Sequence, residues 1–194
     1  MKCKQVCFDL ETTSRSPNNA EIVEMAFVTF DYDARTRKDP VIHETFQRFV
    51  KPKYNNPDAI KIHGITDAML QDAAPFHIIQ PELEKWLTLH AAPDFVWVGH
   101  NVRRYDIPIL KRHMSGSPPS LANEVFDTLE VARKVYRDSP RKNLSFLYNM
   151  IQTPHSVKEA AIVAHRALDD VRMNIVVACD ELRRCRQSAI PTYK

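Results

Sequence analysis

Glycine is scarce in this 194-residue chain, which has only Gly64, Gly99 and Gly116. A Rossmann turn needs Gly-x-Gly-x-x-Gly, and a P-loop needs Gly-x-x-x-x-Gly-Lys. With glycines 35 and 17 positions apart, neither loop can be built. A backbone cradle for nucleotide phosphates is excluded, so any phosphate chemistry must rest on side chains and metals. Long apolar runs are missing too. None approaches the ~18 residues a membrane span needs, and no secretory signal follows the opening Met-Lys-Cys-Lys-Gln. The four cysteines stand at C-x3-C and C-x5-C spacings, Cys3 with Cys7 and Cys179 with Cys185. These are not the spacings of zinc pairs, and the residues read as reduced, partly buried thiols. The expected setting is intracellular, cytoplasmic or nuclear, with no membrane partner. A strong charge excess is also lacking: 27 Lys and Arg against 24 Asp and Glu give +3 and a pI near 8.7. That balance permits a nucleic-acid partner without demanding one.

What is present is an ordinary globular composition, 44% apolar and 26% charged. The length suits a single domain over 1–194 with a core that needs no staples. Residues 6–10, 22–30 and 43–51 read as three strands joined by polar turns, an antiparallel meander. Residues 52–57 read as a loop, and 60–70 carry short helical signals around Gly64. Pro81 is expected to open a helix over 82–90, with Leu83, Trp86 and Leu87 on one face. A strand over 95–98 and a helix over 103–114 follow, the helix ended by 115–119. A brief strand at 125–126 precedes helices over 128–136, 144–151 and 166–186. This order implies an α/β chain with a mixed sheet flanked by helices.

Three segments carry chemistry. In Phe8-Asp9-Leu10-Glu11-Thr12-Thr13, two carboxylates at i and i+2 of a strand share one face and can reach one metal. A merely solvated strand end is the plain alternative, though the acids directly follow a buried run, where an unpaired carboxylate is costly. In Gly99-His100-Asn101-Val102-Arg103-Arg104-Tyr105-Asp106, the acid falls early on a helix, where the macrodipole alone could favour it. In Ala164-His165-Arg166-Ala167-Leu168-Asp169-Asp170-Val171, a histidine precedes a helix with acids in its first turn. Together, four carboxylates and an imidazole need a cation, and oxygen ligands favour Mg²⁺ or Mn²⁺. Arg103, Arg104, Lys111 and Arg112 form a basic helix face, either a phosphate contact or an ordinary solvated surface.

These motifs resemble those of the DEDDh 3′→5′ exonucleases, the proofreading (DnaQ-like) branch of the ribonuclease H-like superfamily. FDLETT, GHNVRRYD and AHRALDD fall in the family's order over nearly the whole chain, with echoes in Ile62-His63-Gly64-Ile65-Thr66 and Phe126-Asp127-Thr128-Leu129. The resemblance implies a mixed five-stranded sheet, a three-strand antiparallel meander plus two parallel strands, flanked by helices. It implies that Asp9, Glu11, Asp106 and Asp170 hold two Mg²⁺ or Mn²⁺ ions, with His165 as general base. Asp170 rather than Asp169 would be the ligand, because the family spacing is H-x4-D. Leu10, Thr12, Ile65, Asn101 and Tyr105 would contact the substrate, the 3′ end of single-stranded DNA or RNA, with backbone amides near 10–12 on the terminal hydroxyl. For Ile65, core packing is an equal alternative. Ser14 departs from the family's usual Gly, and Tyr105 from its usual Phe. A non-catalytic nucleic-acid-binding or scaffold domain is the other reading, but it has no need of all five groups.

Overall fold

β-branched and aromatic residues build the sheet. The first apolar run extends into strand β1 (Cys3–Thr12), followed by β2 (Ile22–Asp31) and β3 (Val41–Phe49). Then come α1 (Pro57–His63), α2 (Phe76–His90), β4 (Ala91–Gly99), α3 (Asp106–His113), β5 (Val125–Asp127), α4 (Thr128–Val135), α5 (Leu144–Met150) and α6 (Ala167–Gln187). The computed structural model describes residues 3–36, 38–116, 123–151 and 165–187. The five strands form one sheet in the order β3-β2-β1-β4-β5. β1 pairs antiparallel with β2 and β2 with β3, while β1–β4 and β4–β5 are parallel. This is the mixed sheet of the ribonuclease H-like fold.

Alternation along β1 divides the core. Val6, Phe8 and Leu10 face α2 and α3 through Ile79, Leu83, Ile107 and Leu110. Phe8 lies at the centre of this layer, stacked on Phe27 and edge-on to Trp97. Cys7, with Ala26 and Val28 of β2, faces the opposite side, where α6 covers it with Ala167, Val171, Ile175 and Ala178. All four cysteines are free and buried. Among the described residues, no helix is long and apolar enough to cross a membrane.

Some expected boundaries move. α2 begins at Phe76, so Pro81 lies inside it rather than opening it. The stripe Phe76, Ile79, Gln80, Leu83 is buried and continuous, and Pro81 sits on the exposed side, where the carbonyl left without a partner meets water. α1 begins within the expected loop, with Pro57 in its first turn and the Asn56 side chain accepting from the Asp58 amide at 3.0 Å. It stops at Gly64, whose φ of 70° forms a left-handed cap. α3 starts at Asp106, because residues 101–105 form a separate turn. Of the expected helix end over 115–119, residues 117–119 lie outside the described residues.

One buried group stands apart from this packing. Glu181 of α6 is fully buried, and among the described residues neither of its carboxylate oxygens has a hydrogen-bond partner. Burial pushes its carboxyl well above the ordinary range, and Asp180 and Asp127 add to the rise. A raised folded-state pKa contributes stability below the unfolded value that is lost as pH rises. Glu181→Leu should therefore raise Tm, through a stabilisation of about 1–3 kcal/mol near neutral pH, with a gap that widens between about pH 5 and about pH 8. Thermal melts across that range test this; a lower Tm at every pH would contradict it.

Candidate active site

β1 outruns its parallel neighbour. The β1–β4 ladder ends where Cys7 pairs with Val98, while β1 continues against β2 to Thr12. The last turn of β1 thus has an open edge at the carboxyl end of two parallel strands, where α/β sheets place their ligands. Asp9 and Glu11 follow Cys7 on the face that α6 covers. Asp170 lies in the first turn of α6, and exposed His165 stands two residues before that helix. Ligand atoms of Glu11, His165 and Asp170 all lie within 4.8 Å of one another.

Asp106 arrives from the other layer. As the first residue of α3 it reaches the open edge, where its Oδ1 accepts from the Leu10 amide at 3.2 Å. That amide is therefore committed to the protein and is not left for a terminal hydroxyl. The turn before α3 is tightly specified. A Cβ at Gly99 would meet Val102 Cγ1 at 2.0 Å, so only glycine fits. Asn101 is in the left-handed region at φ 66°. Its carbonyl accepts from the Tyr105 amide at 3.1 Å. Asp127 holds this turn: its carboxylate accepts from the amides of Asn101 (2.9 Å) and Arg103 (3.0 Å), and from Leu129 (3.0 Å) to cap α4.

A cavity of about 690 Å³ opens beside these groups, lined by Leu10, Glu11, Thr12, Ser14, Tyr105 and His165, with Ile62 and His63 from α1. Leu10, Thr12 and Tyr105, expected to contact substrate, all line this cavity. The Tyr105 hydroxyl donates to the Ser14 carbonyl and meets the Thr12 hydroxyl. Two expectations change. Ile65 is fully buried with Val23 and Leu70, so it is core, and exposed Ile62 is the isoleucine that lines the cavity. Asn101 shapes its turn and is not among the residues lining the cavity. Arg103 and Arg112 donate to the carbonyls of Val125 and Ala20, and Arg112 is exposed along with Arg104 and Lys111. Asp169 pairs with Arg172 at 3.1 Å.

Two side chains outside the expected set of site residues complete the framework. Glu24 of β2 binds Arg166, and the buried ring of His63 accepts from the Ile65 amide at 3.0 Å. Glu24 had a signal in the sequence, an acid inside the apolar run 22–30. At the far end of the sheet, Cys3, Asp31 and His43 also approach within 4.8 Å, but Asp31 and His43 already pair at 3.0 Å.

The electrostatics point to a cation. Burial first, then Asp106, Glu11 and Asp170, push the Asp9 carboxyl far above its ordinary range. Burial and neighbouring acids push Glu11 up to about 8. Burial likewise raises Asp106 to about 8 and Asp170 to about 6. Four carboxylates that repel one another in a desolvated corner fit hard divalent ions, which take oxygen ligands.

An exonuclease family model, RNase_T, matches residues 6–178. The PolC-type DNA polymerase III of Caldanaerobacter subterraneus is 29% identical over 95% of this chain, which spans only 12% of that protein. Among solved structures, Exonuclease X in complex with 5′-overhanging duplex DNA has a TM-score of 0.65 at 22% identity, covering 97% of this chain and 95% of that one. Escherichia coli Exonuclease I in complex with a dT13 oligonucleotide has 0.76 at 20% identity, covering 97% and 43%. The two structures share the fold.

The raised carboxyls make stability depend on pH, and a cation held by them would change that dependence. Their folded-state pKa values lie above the unfolded ones, so stability present below about pH 4 is lost as pH rises to about 8. In EDTA, Tm should fall between about pH 5 and about pH 8. Mg²⁺ should remove that fall, because it binds the ionised form. Melts with and without Mg²⁺ check this; a Tm insensitive to both would count against a metal-binding cluster.

Proposed function

The chain belongs to the RNase_T exonuclease family, and on that basis we propose a divalent-metal-dependent 3′→5′ exonuclease. It would shorten single-stranded DNA or RNA from the 3′ end and release nucleoside 5′-monophosphates. The observation that carries this reading is the convergence of Asp9, Glu11, Asp106 and Asp170 with His165 beside one cavity. The DNA-bound relatives make DNA the first substrate to test.

Asp9, Glu11, Asp106 and Asp170 would hold two Mg²⁺ or Mn²⁺ ions. Such a pair, when bound, stabilises the attacking and leaving oxygens of an in-line displacement. The remaining work falls to side chains. His165, exposed next to Glu11 and Asp170, takes a proton from the attacking water, a role suited to imidazole near neutral pH. Leu10, Thr12 and Tyr105 receive the terminal nucleotide. Ile62 offers an apolar surface to a base, a contact tolerant of sequence. The phosphodiester's 3′-oxygen leaves, so each cycle yields a 5′-monophosphate and a new 3′-hydroxyl.

A 5′-labelled single strand incubated with Mg²⁺ should give a ladder of shortened products. EDTA should abolish it, and Asp9→Ala should slow it by about 10³-fold or more, the scale of losing one member of a catalytic unit. A wild-type protein that produces no ladder on matched DNA and RNA overturns the reading. Cleavage that persists on a 3′-blocked strand would mean internal cutting instead. The scaffold alternative requires calorimetry to find no Mg²⁺ site that depends on Asp9 and Glu11.

A further inference from the structure

Resting on that reading of the site, we propose that Glu24 is a positioning residue for the reaction, placing both His165 and Asp170 through Arg166. Glu24 sits near the start of β2, an interior strand of the sheet, directly opposite Glu11 in the β1–β2 register. It is fully buried, where an unpaired carboxylate would be strongly unfavourable. Its oxygens are fully engaged. Oε1 accepts from Gln47 Nε2 at 2.8 Å and from Arg166 Nη2 at 3.0 Å. Oε2 accepts from Arg166 Nε at 3.1 Å and from the Ala167 amide at 3.2 Å.

The last two bonds define the start of α6. Ala167 is the first residue of that helix, so its amide is one of the donors with no partner inside the helix. A carboxylate from the sheet caps it, at the end where the macrodipole favours negative charge. The two bonds to Arg166 form a fork, which fixes the plane of the guanidinium as well as its position. Phe49 lies 5.5 Å beneath the same guanidinium. Arg166 is thereby locked to β2 and β3 on the face where β1 carries Asp9 and Glu11.

Arg166 lies between the two groups that matter. His165 precedes it at φ 66°, a conformation that a non-glycine residue keeps only when its surroundings impose it. Asp170 follows, its amide donating to the Arg166 carbonyl at 2.9 Å. Holding Arg166 therefore holds the base on one side and a carboxylate ligand on the other. Glu24 acts through Arg166, which separates positioning from catalysis.

The test uses the whole chain, single-stranded DNA and Mg²⁺. Glu24→Gln is close in shape but loses the charge and the fork. It should lower kcat about tenfold to a hundredfold, the range for a misplacement of about 1 Å, while KM stays within about threefold. Arg166→Lys should do the same, because an ammonium cannot make both fork bonds. The double variant Glu24→Leu, Arg166→Met separates stability from placement. Apolar replacement of a buried ion pair often restores stability, so Tm should recover while kcat stays low. A Glu24→Gln enzyme with full kcat overturns the proposal, as does a double variant that recovers kcat together with Tm. If the wild type itself is inactive, the exonuclease reading fails, and hydrogen exchange judges the brace alone. Faster exchange over 165–171 in Glu24→Gln, with β1 and β2 unchanged, supports it; unchanged exchange over 165–171 overturns it.

Discussion

The organising constraint of this molecule is repulsion among carboxylates. On top of what burial does, Asp106, Glu11 and Asp170 raise the pKa of Asp9, and Asp170, Glu24 and Asp106 raise that of Glu11. Two like charges about 5 Å apart repel by about 3 kcal/mol at an effective dielectric of about 20. A few such pairs rival the whole stability of an ordinary domain, about 5–15 kcal/mol. The fold can hold the cluster only if the acids take up protons or a cation replaces those protons. The scaffold is accordingly built to keep the groups from drifting apart. The Leu10 amide holds Asp106, and Arg166 with the Ala167 amide is held on Glu24.

Both helices that deliver acids do so from their N-terminal turns, Asp106 at the start of α3 and Asp170 in the first turn of α6. It is tempting to assign the neutralisation to helix dipoles, but the magnitudes argue otherwise. A terminus is worth about 0.3–1 kcal/mol to a nearby anion, less than one of the repulsions it would have to offset. The helices therefore act as positioning rods. α3 packs on the Phe8–Leu10 face and α6 on the Cys7 face, so the two converge on the end of β1 from opposite layers.

The strands and most helices were legible because the buried positions keep the period of their element. Val6 and Phe8 alternate with Cys7, and Val171, Ile175 and Ala178 recur at helical spacing. The start of α2 was not, because Pro81 reads as a helix opener when the burial of Phe76 and Ile79 is unknown. The acids stood out because each ends an apolar strand or opens a helix. Ile65 and Ile62 could not be told apart without knowing that α1 stops at Gly64 and turns Ile65 inward. Asp127 and Glu24 were harder still: their role is to accept hydrogen bonds from residues 24–26 and 142–143 positions away, respectively. Chain spacing carries no trace of that.

Two departures from the family's pattern, Ser14 and Tyr105, meet in space. The Tyr105 hydroxyl donates to the Ser14 carbonyl and contacts the Thr12 hydroxyl. A phenylalanine there could not tie the segment after β1 to the turn before α3. Burial pushes the tyrosine's pKa up, so it stays protonated and keeps its donor. A glycine at 14 would leave the same carbonyl but a looser backbone, with more freedom to lose on ordering. The serine adds its own restraint, since its hydroxyl accepts from the Ser16 amide at 3.1 Å. The scarcity of glycine is part of the same design. The segments around this cavity are held by side-chain hydrogen bonds, and glycine remains where geometry demands it, at the Gly64 cap and at Gly99 against Val102.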